Sequence, residues 1–291
     1  MKTAAVIGAR SMLGAQLVAR LQHRGVQTIS VGRTETDDIA FDLAAGPAKV
    51  SDNLTADVLF HCAASFAADD PSGVQQNFAA NASSAVHVAE LARSLHVRAV
   101  VYAGSLSSDE TLDAAPLTSY GLSKKIAEQI LEWSSQKLGF RFCSLRFSQL
   151  YDIEGRCCLH QPWMGRIVAY ASRGLDIRMP ASHGTRNFLH VRDAANMMIR
   201  AAETKTSGIC NAVHPEAMTC DAIAAVAYET FGLGGSVVIA AEKAPFRRVN
   251  FPDGGETLSK LGMPPLIAMR DGIGMIRSAG TAEAFGPMDV N

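Results

Sequence analysis

The stretch Ala4-Ala5-Val6-Ile7-Gly8-Ala9-Arg10-Ser11-Met12-Leu13-Gly14 decides the reading of the chain. A short apolar run stops at a glycine, and a helical pattern follows with Leu13, Leu17, Val18 and Leu21 on one face and Gly25 closing it. Glycines between a strand and a helix allow a tight turn. They also let backbone N–H groups approach a pyrophosphate at the positive end of the helix. Gly8, Arg10, Ser11, Met12, Leu13 and Gly14 are therefore candidate dinucleotide contacts, with Ser11 standing where a middle glycine is usual.

Outward from this loop, short apolar runs alternate with helical patterns. Strands are predicted at Gln27–Val31, Ile39–Leu43, Val58–Cys62, Ala99–Tyr102 and Phe142–Phe147, and helices at Val74–Leu95 and Ser119–Leu138. That alternation predicts an α/β fold of Rossmann type, with a parallel sheet covered on both faces and ligands at the strand C-terminal edge. After about Tyr151 the rhythm changes. Helical pieces at Trp163–Arg173, Val191–Thr204, Asp221–Phe231 and Asp271–Arg277 mix with short strands and Pro/Gly-rich loops. The expected organisation is a dinucleotide-binding core over residues 1–150. Residues 151–291 form mainly a smaller substrate-binding lobe, interleaved with the last core strands.

The second strand ends Val31-Gly32-Arg33. An NAD site usually places a carboxylate here for the adenosine ribose, and a carboxylate repels a 2′-phosphate. An arginine attracts one and grips it bidentately. Arg33 and Arg10 make NADP(H) the favoured cofactor, with NAD(H) the alternative. Asp37 and Asp38 come too late in the chain to replace the missing acid, while Asp42, with Leu43 beside it, suits the adenine amine.

Tyr120-Gly121-Leu122-Ser123-Lys124 opens a helix, where positions i and i+4 share a face with Cβ atoms roughly 6 Å apart. A nearby ammonium lowers the pKa of a phenol, so Tyr120 beside Lys124 can exchange a proton with a carbonyl or alcohol oxygen. Ser105, at the end of the preceding strand's extension, is the first choice to polarise that oxygen, and Ser107 the second.

Composition narrows the classes. The 291 residues are 48 % hydrophobic and 19 % charged, enough for a sizeable core. Lys+Arg number 27 against Asp+Glu 28, with no basic run, so no nucleic-acid partner is expected. No apolar stretch reads as a membrane span, and no signal-peptide h-region follows Lys2. Cys62, Cys143, Cys157, Cys158, Cys210 and Cys220 show no metal-finger spacing; no metal is expected, and they read as free thiols in a reducing cytoplasm.

With these residues in place, the chain resembles the extended short-chain dehydrogenases/reductases, the NAD(P)-dependent epimerase/dehydratase family. The glycine loop, Asp57-Val58-Leu59-Phe60-His61-Cys62-Ala63-Ala64, Asn81, the Ser105 loop, Tyr120 to Glu128, and Leu145-Arg146-Phe147-Ser148-Gln149-Leu150-Tyr151 carry the likeness. Gly184 to Asp193 and Leu258-Ser259-Lys260-Leu261-Gly262 continue it. The resemblance implies Cys62, Ala63, Ala64, Asn81, Tyr120 and Lys124 as further cofactor-site residues and a nucleotide sugar as substrate. Ser107, Gln149, Arg186, Arg247 and Arg248 are then candidate substrate contacts, and a homodimer through the helices after Asn81 and Tyr120 is implied. Gln149 and Asp152 depart from the family's usual asparagine and glycine, and the Ser105–Tyr120 gap is short.

Three reactions suit such a scaffold. NADP(H)-dependent reduction of a keto group leads, and epimerisation of a nucleotide sugar is close behind. Dehydration would need Asp109-Glu110 as its acid/base pair, which shifts the hydroxyl from Ser105 to Ser108. A non-catalytic dinucleotide sensor is the alternative from another class.

Overall fold

The computed structural model describes residues 1–51, 53–112, 115–246 and 248–288. Its elements, in chain order, begin with β1 (Thr3–Ile7), α1 (Met12–His23), β2 (Gln27–Gly32), β3 (Ile39–Ala40) and β4 (Val58–His61). They continue with α2 (Pro71–Asn77), α3 (Ser84–Ser94), β5 (Ala99–Ser105), α4 (Ser119–Leu138), β6 (Arg141–Phe147) and β7 (Gln149–Tyr151). Then come α5 (Pro162–Ala171), β8 (Ile177–Met179), β9 (Phe188–His190), α6 (Val191–Glu203) and β10 (Gly208–Ala212). The last are α7 (Cys220–Phe231), β11 (Val237–Ile239), α8 (Gly255–Leu261) and α9 (Met269–Ala279).

The described residues fall into two compact units. The first comprises Met1–Phe147, Ala194–Ala212 and Gly254–Met263. It contains a seven-stranded sheet in the order β10-β6-β5-β4-β1-β2-β3, with every neighbour pair parallel. Strand order reverses between β1 and β4, the point at which open α/β sheets bind ligands. Both strands are buried along nearly their whole length, as helices on both faces require. Ile7, Val31, Leu59, Val88, Val100 and Leu131 belong to one continuous apolar cluster in this unit.

The second unit comprises Ser148–Asp193, Val213–Asp253 and the segment from Pro264 on. It holds two small parallel pairs, β7 with β9 and β11 with β8. Among the described residues, no helix is long and apolar enough to cross a membrane.

Three elements depart furthest from their expected bounds, the first two for a local reason. The strand expected over Ile39–Leu43 stops at Ala40, because the Asp42 carboxylate accepts from Ala44 N at 3.0 Å and starts a turn. The helix expected from Val74 starts at Pro71, where Asp70 caps it by accepting from Gly73 N at 2.8 Å. It then widens to π winding over Phe78–Ser83 before α3. The strand expected to end at Tyr102 runs on to Ser105.

A buried ionic cluster joins α4 to the sheet. Glu128 on α4, 1 % exposed, accepts from Ser144 Oγ at 2.6 Å and from Arg146 Nε and Nη2 at 3.0 and 2.7 Å. Gly104 makes room for it, since a Cβ there would lie 2.3 Å from Ser144 Oγ. Removing one partner of such a pair strands the other charge. Glu128→Ala is expected to cost about 3 kcal/mol of unfolding free energy, measured by urea denaturation. Loss of less than about 0.5 kcal/mol, the scale of a surface change, would show that the pair holds nothing together.

Candidate active site

The loop after β1 is built on close backbone approach. Gly8 has φ +76°, and a Cβ on Gly14 would lie 2.0 Å from the Gly8 carbonyl. A Cβ on Gly8 would meet the Ala63 Cβ at 2.8 Å, so the segment Cys62-Ala63-Ala64 after β4 lies directly against the loop. Ser11 has its own reason to replace a glycine. Its Oγ caps α1 by accepting from Gly14 N at 3.0 Å, and it donates to the Cys62 carbonyl at 3.3 Å. The amides of Met12 and Leu13 open α1, where a helix has no internal acceptors for its N–H groups. This cradle fits a pyrophosphate at the helix's positive end.

At the end of β2, Arg33 is exposed. Arg10 is 54 % exposed and forms an ion pair with Asp37 Oδ1 at 3.4 Å. The turn folds back on itself, so Asp37 arrives beside Gly32 despite its distance in sequence: a Cβ on Gly32 would lie 2.6 Å from Asp37 Oδ2. Its late place in the sequence does not keep the Asp37 side chain from the end of β2, though its Oδ2 is engaged by Thr34. Asp42 is exposed and engaged with its own turn, and Leu43 is partly buried.

Two asparagines shape the loop after β4. Asn81 is 3 % exposed; its side chain accepts from Ser65 N at 2.8 Å and donates to Ser65 O and Ser123 Oγ at 3.0 Å each. Asn77, one helical turn earlier, accepts from Ser65 Oγ and Ala67 N and donates to Ala67 O and Ser119 Oγ, at 2.8 to 3.0 Å. Ser119 in turn donates its amide to Asp69 at 2.9 Å. Asn81, which the sequence suggests as a cofactor contact, is held in this strap. Asn77, Ser65 and Asp69 are not among the sequence candidates, although the shared helical face of Asn77 and Asn81 is a signal that could have found the first of them.

The strap holds the start of α4. Thr118 Oγ1 caps the helix through Gly121 N, and a Cβ on Gly121 would lie 2.1 Å from the Ser107 carbonyl. Gly121 thus lets the first turn of α4 lie on the loop after β5. Tyr120 lies near enough to Ser105 for the serine hydroxyl to favour its phenolate, and the Ser105 Oγ accepts from Ser107 N at 3.1 Å. Phe66 stacks on the Tyr120 ring at 4.6 Å between centroids. Of the two serines, Ser105 is the one that meets the tyrosine, and Ser107 supplies backbone contact.

Lys124 is 2 % exposed. Its Nζ donates to the Ala103 carbonyl at 2.7 Å and sits 4.0 Å from the centre of the Tyr102 ring. Burial pulls its pKa down to about 7, although Glu128 and Cys62 oppose the shift. Burial first, and then the Lys124 charge, holds His61 neutral at a pKa of about 3. Burial also raises Tyr120 to about 12, partly offset by the nearby Ser105 hydroxyl. The helical spacing leads one to expect an ammonium that depresses the tyrosine. In this geometry the ammonium is directed at Ala103, and desolvation of the phenol dominates.

Among the substrate candidates of the second unit, Gln149 donates to Gln161 Oε1 at 2.6 Å. The Arg186 guanidinium lies 5.4 Å from the Phe246 ring centre and donates to Thr185 O at 3.0 Å. Arg248 is exposed, and Arg247 lies outside the described residues. The cysteines are free thiols, and no group of three or more His, Cys, Asp or Glu could hold a metal ion among the described residues.

The sequence profile of the NAD dependent epimerase/dehydratase family matches residues 4–213. No curated protein gives a match. Among solved structures, UDP-N-acetylglucosamine 4-epimerase from Bacillus cereus is 21 % identical with a TM-score of 0.76, over 100 % of this chain and 99 % of that one. The Bordetella bronchiseptica enzyme WbmF, in complex with NAD+, is 18 % identical with a TM-score of 0.76, over 97 % and 94 %. The UDP-glucose 4-epimerase of Thermus thermophilus, in complex with NAD, is 18 % identical with a TM-score of 0.71, over 97 % and 99 %. At these identities the likeness speaks to the fold.

Lys124 makes stability depend on pH. Its folded pKa lies below its unfolded one, so between about 7 and the ordinary lysine range the unfolded chain holds the extra proton. Stability therefore rises with pH across that window, and the cost of burying the ammonium is fully present below it. Thermal melts of the wild type and Lys124→Met at pH 6 and pH 9 test this: the difference is expected to move in favour of the wild type as pH rises. A difference that does not change with pH would contradict the burial of a titrating amine.

Proposed function

The chain belongs to the NAD dependent epimerase/dehydratase family, and from that premise we propose that it is a nicotinamide-dependent enzyme acting on a nucleotide sugar. The observation that carries this reading is the set Ser105, Tyr120 and Lys124 on one side of the glycine loop's sheet edge. A bound nicotinamide dinucleotide supplies hydride transfer at the carbon bearing the substrate oxygen. Gly8, Ser11, Met12, Leu13 and Gly14 would hold its pyrophosphate, and Ala63 would line the loop.

The chain's own residues manage the proton. Tyr120, with a pKa of about 12, carries its proton throughout the neutral range and is set to donate it to a forming alkoxide. Ser105 steadies the same oxygen and keeps the phenol hydroxyl aimed. Lys124 holds positive charge below about pH 7 and, on moving from Ala103, lowers the cost of a transient phenolate. Phe66 covers one face of the Tyr120 ring and limits water there.

Arg10 and Arg33 support NADP(H) as the preferred cofactor. A tyrosine kept protonated, together with that cofactor, favours net reduction of a keto group. Epimerisation of the sugar is the second reading; the names of the UDP-sugar 4-epimerases with the same fold favour it. In either case the second unit is proposed to bind the nucleotide sugar, with Arg186, Arg247 and Arg248 as candidates for its diphosphate and Gln149 for the sugar. We place the protein in the cytoplasm as a homodimer. The helices proposed for the interface expose Val86, Leu122 and Trp133.

The test is to incubate purified protein with NADPH and a panel of keto and hydroxy nucleotide sugars. Net loss of absorbance at the reduced-cofactor band marks a reductase, and isomer formation without net change marks an epimerase. Tyr120→Phe is expected to lower kcat by about 10²- to 10⁴-fold with cofactor binding retained. Turnover unaffected by that substitution would reject the assigned proton donor.

A further inference from the structure

The acid that returns to the end of β2 is placed to do something other than hold a ribose. The Asp37 side chain is 4 % exposed. Its Oδ2 already accepts from Thr34 N at 3.0 Å and Thr34 Oγ1 at 2.6 Å. Its Oδ1 faces Arg10 Nη2 at 3.4 Å, and the same Nη2 donates to Thr36 Oγ1. Thr34 and Thr36 are joined through their hydroxyls at 3.2 Å. The turn over residues 34–37 is therefore a small polar frame, closed at one end by Asp37 and holding the guanidinium of the glycine loop at the other.

A ribose acceptor needs a carboxylate with lone pairs open to solvent. Asp37 has Oδ2 bonded twice to Thr34, Oδ1 facing Arg10 and its surface covered, while the arginine it holds is 54 % exposed. Desolvation alone would raise the Asp37 pKa, yet the Thr34 hydrogen bonds and the Arg10 charge keep it below the ordinary range, so it stays an anion at neutral pH.

We propose that Asp37 is a positioning residue that holds Arg10 ready for the 2′-phosphate of NADP(H), and that position 32 is glycine to leave room for it. The proposal rests on the dinucleotide reading above. A long side chain that is already oriented loses less freedom when the phosphate arrives. It also explains the missing acid at the end of β2: any side chain at Gly32 would have to enter the space that Asp37 Oδ2 occupies.

Equilibrium titration of the full chain with NADPH, NADH and 2′,5′-ADP tests the proposal without relying on turnover. Asp37→Asn is expected to weaken NADPH and 2′,5′-ADP about 5-fold, the scale of one unfixed side chain, with NADH changed less than about 2-fold. Asp37→Glu should restore part of the loss. Gly32→Ala keeps every charge but takes Asp37's place, and should produce the same selective loss. Combining Arg10→Ala with Asp37→Asn should cost no more than Arg10→Ala alone, because the acid acts through the arginine. Asp37→Asn that strengthens NADPH and weakens NADH would overturn the proposal and make Asp37 a ribose acceptor. Equal loss for both cofactors would also overturn it, reducing Asp37 to a structural role. A wild type that binds neither NADPH nor NADH would instead refute the dinucleotide reading beneath it.

Discussion

The first turn of α4 lies on the backbone of Ser107 at a distance that excludes any side chain at Gly121. The proposed chemistry depends on that approach. It brings the Tyr120 hydroxyl to Ser105 and, one helical turn later, lowers Lys124 onto the Tyr102 ring beside the Ala103 carbonyl. The approach is held from two sides. Asn77 and Asn81 strap the start of the helix to the loop after β4. Glu128, further along the same helix, is locked to Ser144 and Arg146 of β6.

Burial sets the electrostatics of this arrangement. Without water around it the Lys124 ammonium is pulled down to about 7, well below the ordinary lysine range, and the phenol beside Ser105 is pushed up. Together they leave a protonated tyrosine and a readily discharged lysine at neutral pH. The pair is thus not a preformed phenolate with its counter-ion. Movement of Lys124 away from Ala103 is what would shift it toward one, so the proposed proton transfer couples to the position of a single amine.

Much of the first unit was legible in the sequence because its signals are periodic. Short apolar strands, helix faces and the glycine loop obey spacing rules that survive in any context. The ends of α4, Ser119–Leu138, could be read to the residue, since Thr118 caps it and Gly139 closes it in the left-handed region. What stayed hidden depends on chain return. Asp37 lies five residues past Gly32 yet fills its side-chain space, and only the fold of the turn brings them together. The partners of the asparagine strap, Ser65 and Ala67 on one side and Ser119 and Ser123 on the other, are likewise brought together only by the fold. The sign of the Tyr120 shift is hidden for a related reason: spacing on a helix shows that two groups share a face, but not where the longer one points.

The central claim is that the loop from Gly8 to Gly14 holds a nicotinamide dinucleotide. Calorimetric titration of the wild type and Gly14→Ala with NADPH and NADH, with folding of both checked by melting, tests it most directly. The account predicts saturable binding of dinucleotide by the wild type and its loss in the variant, whose added Cβ falls 2.0 Å from the Gly8 carbonyl. A folded Gly14→Ala protein that binds as tightly as the wild type would contradict it.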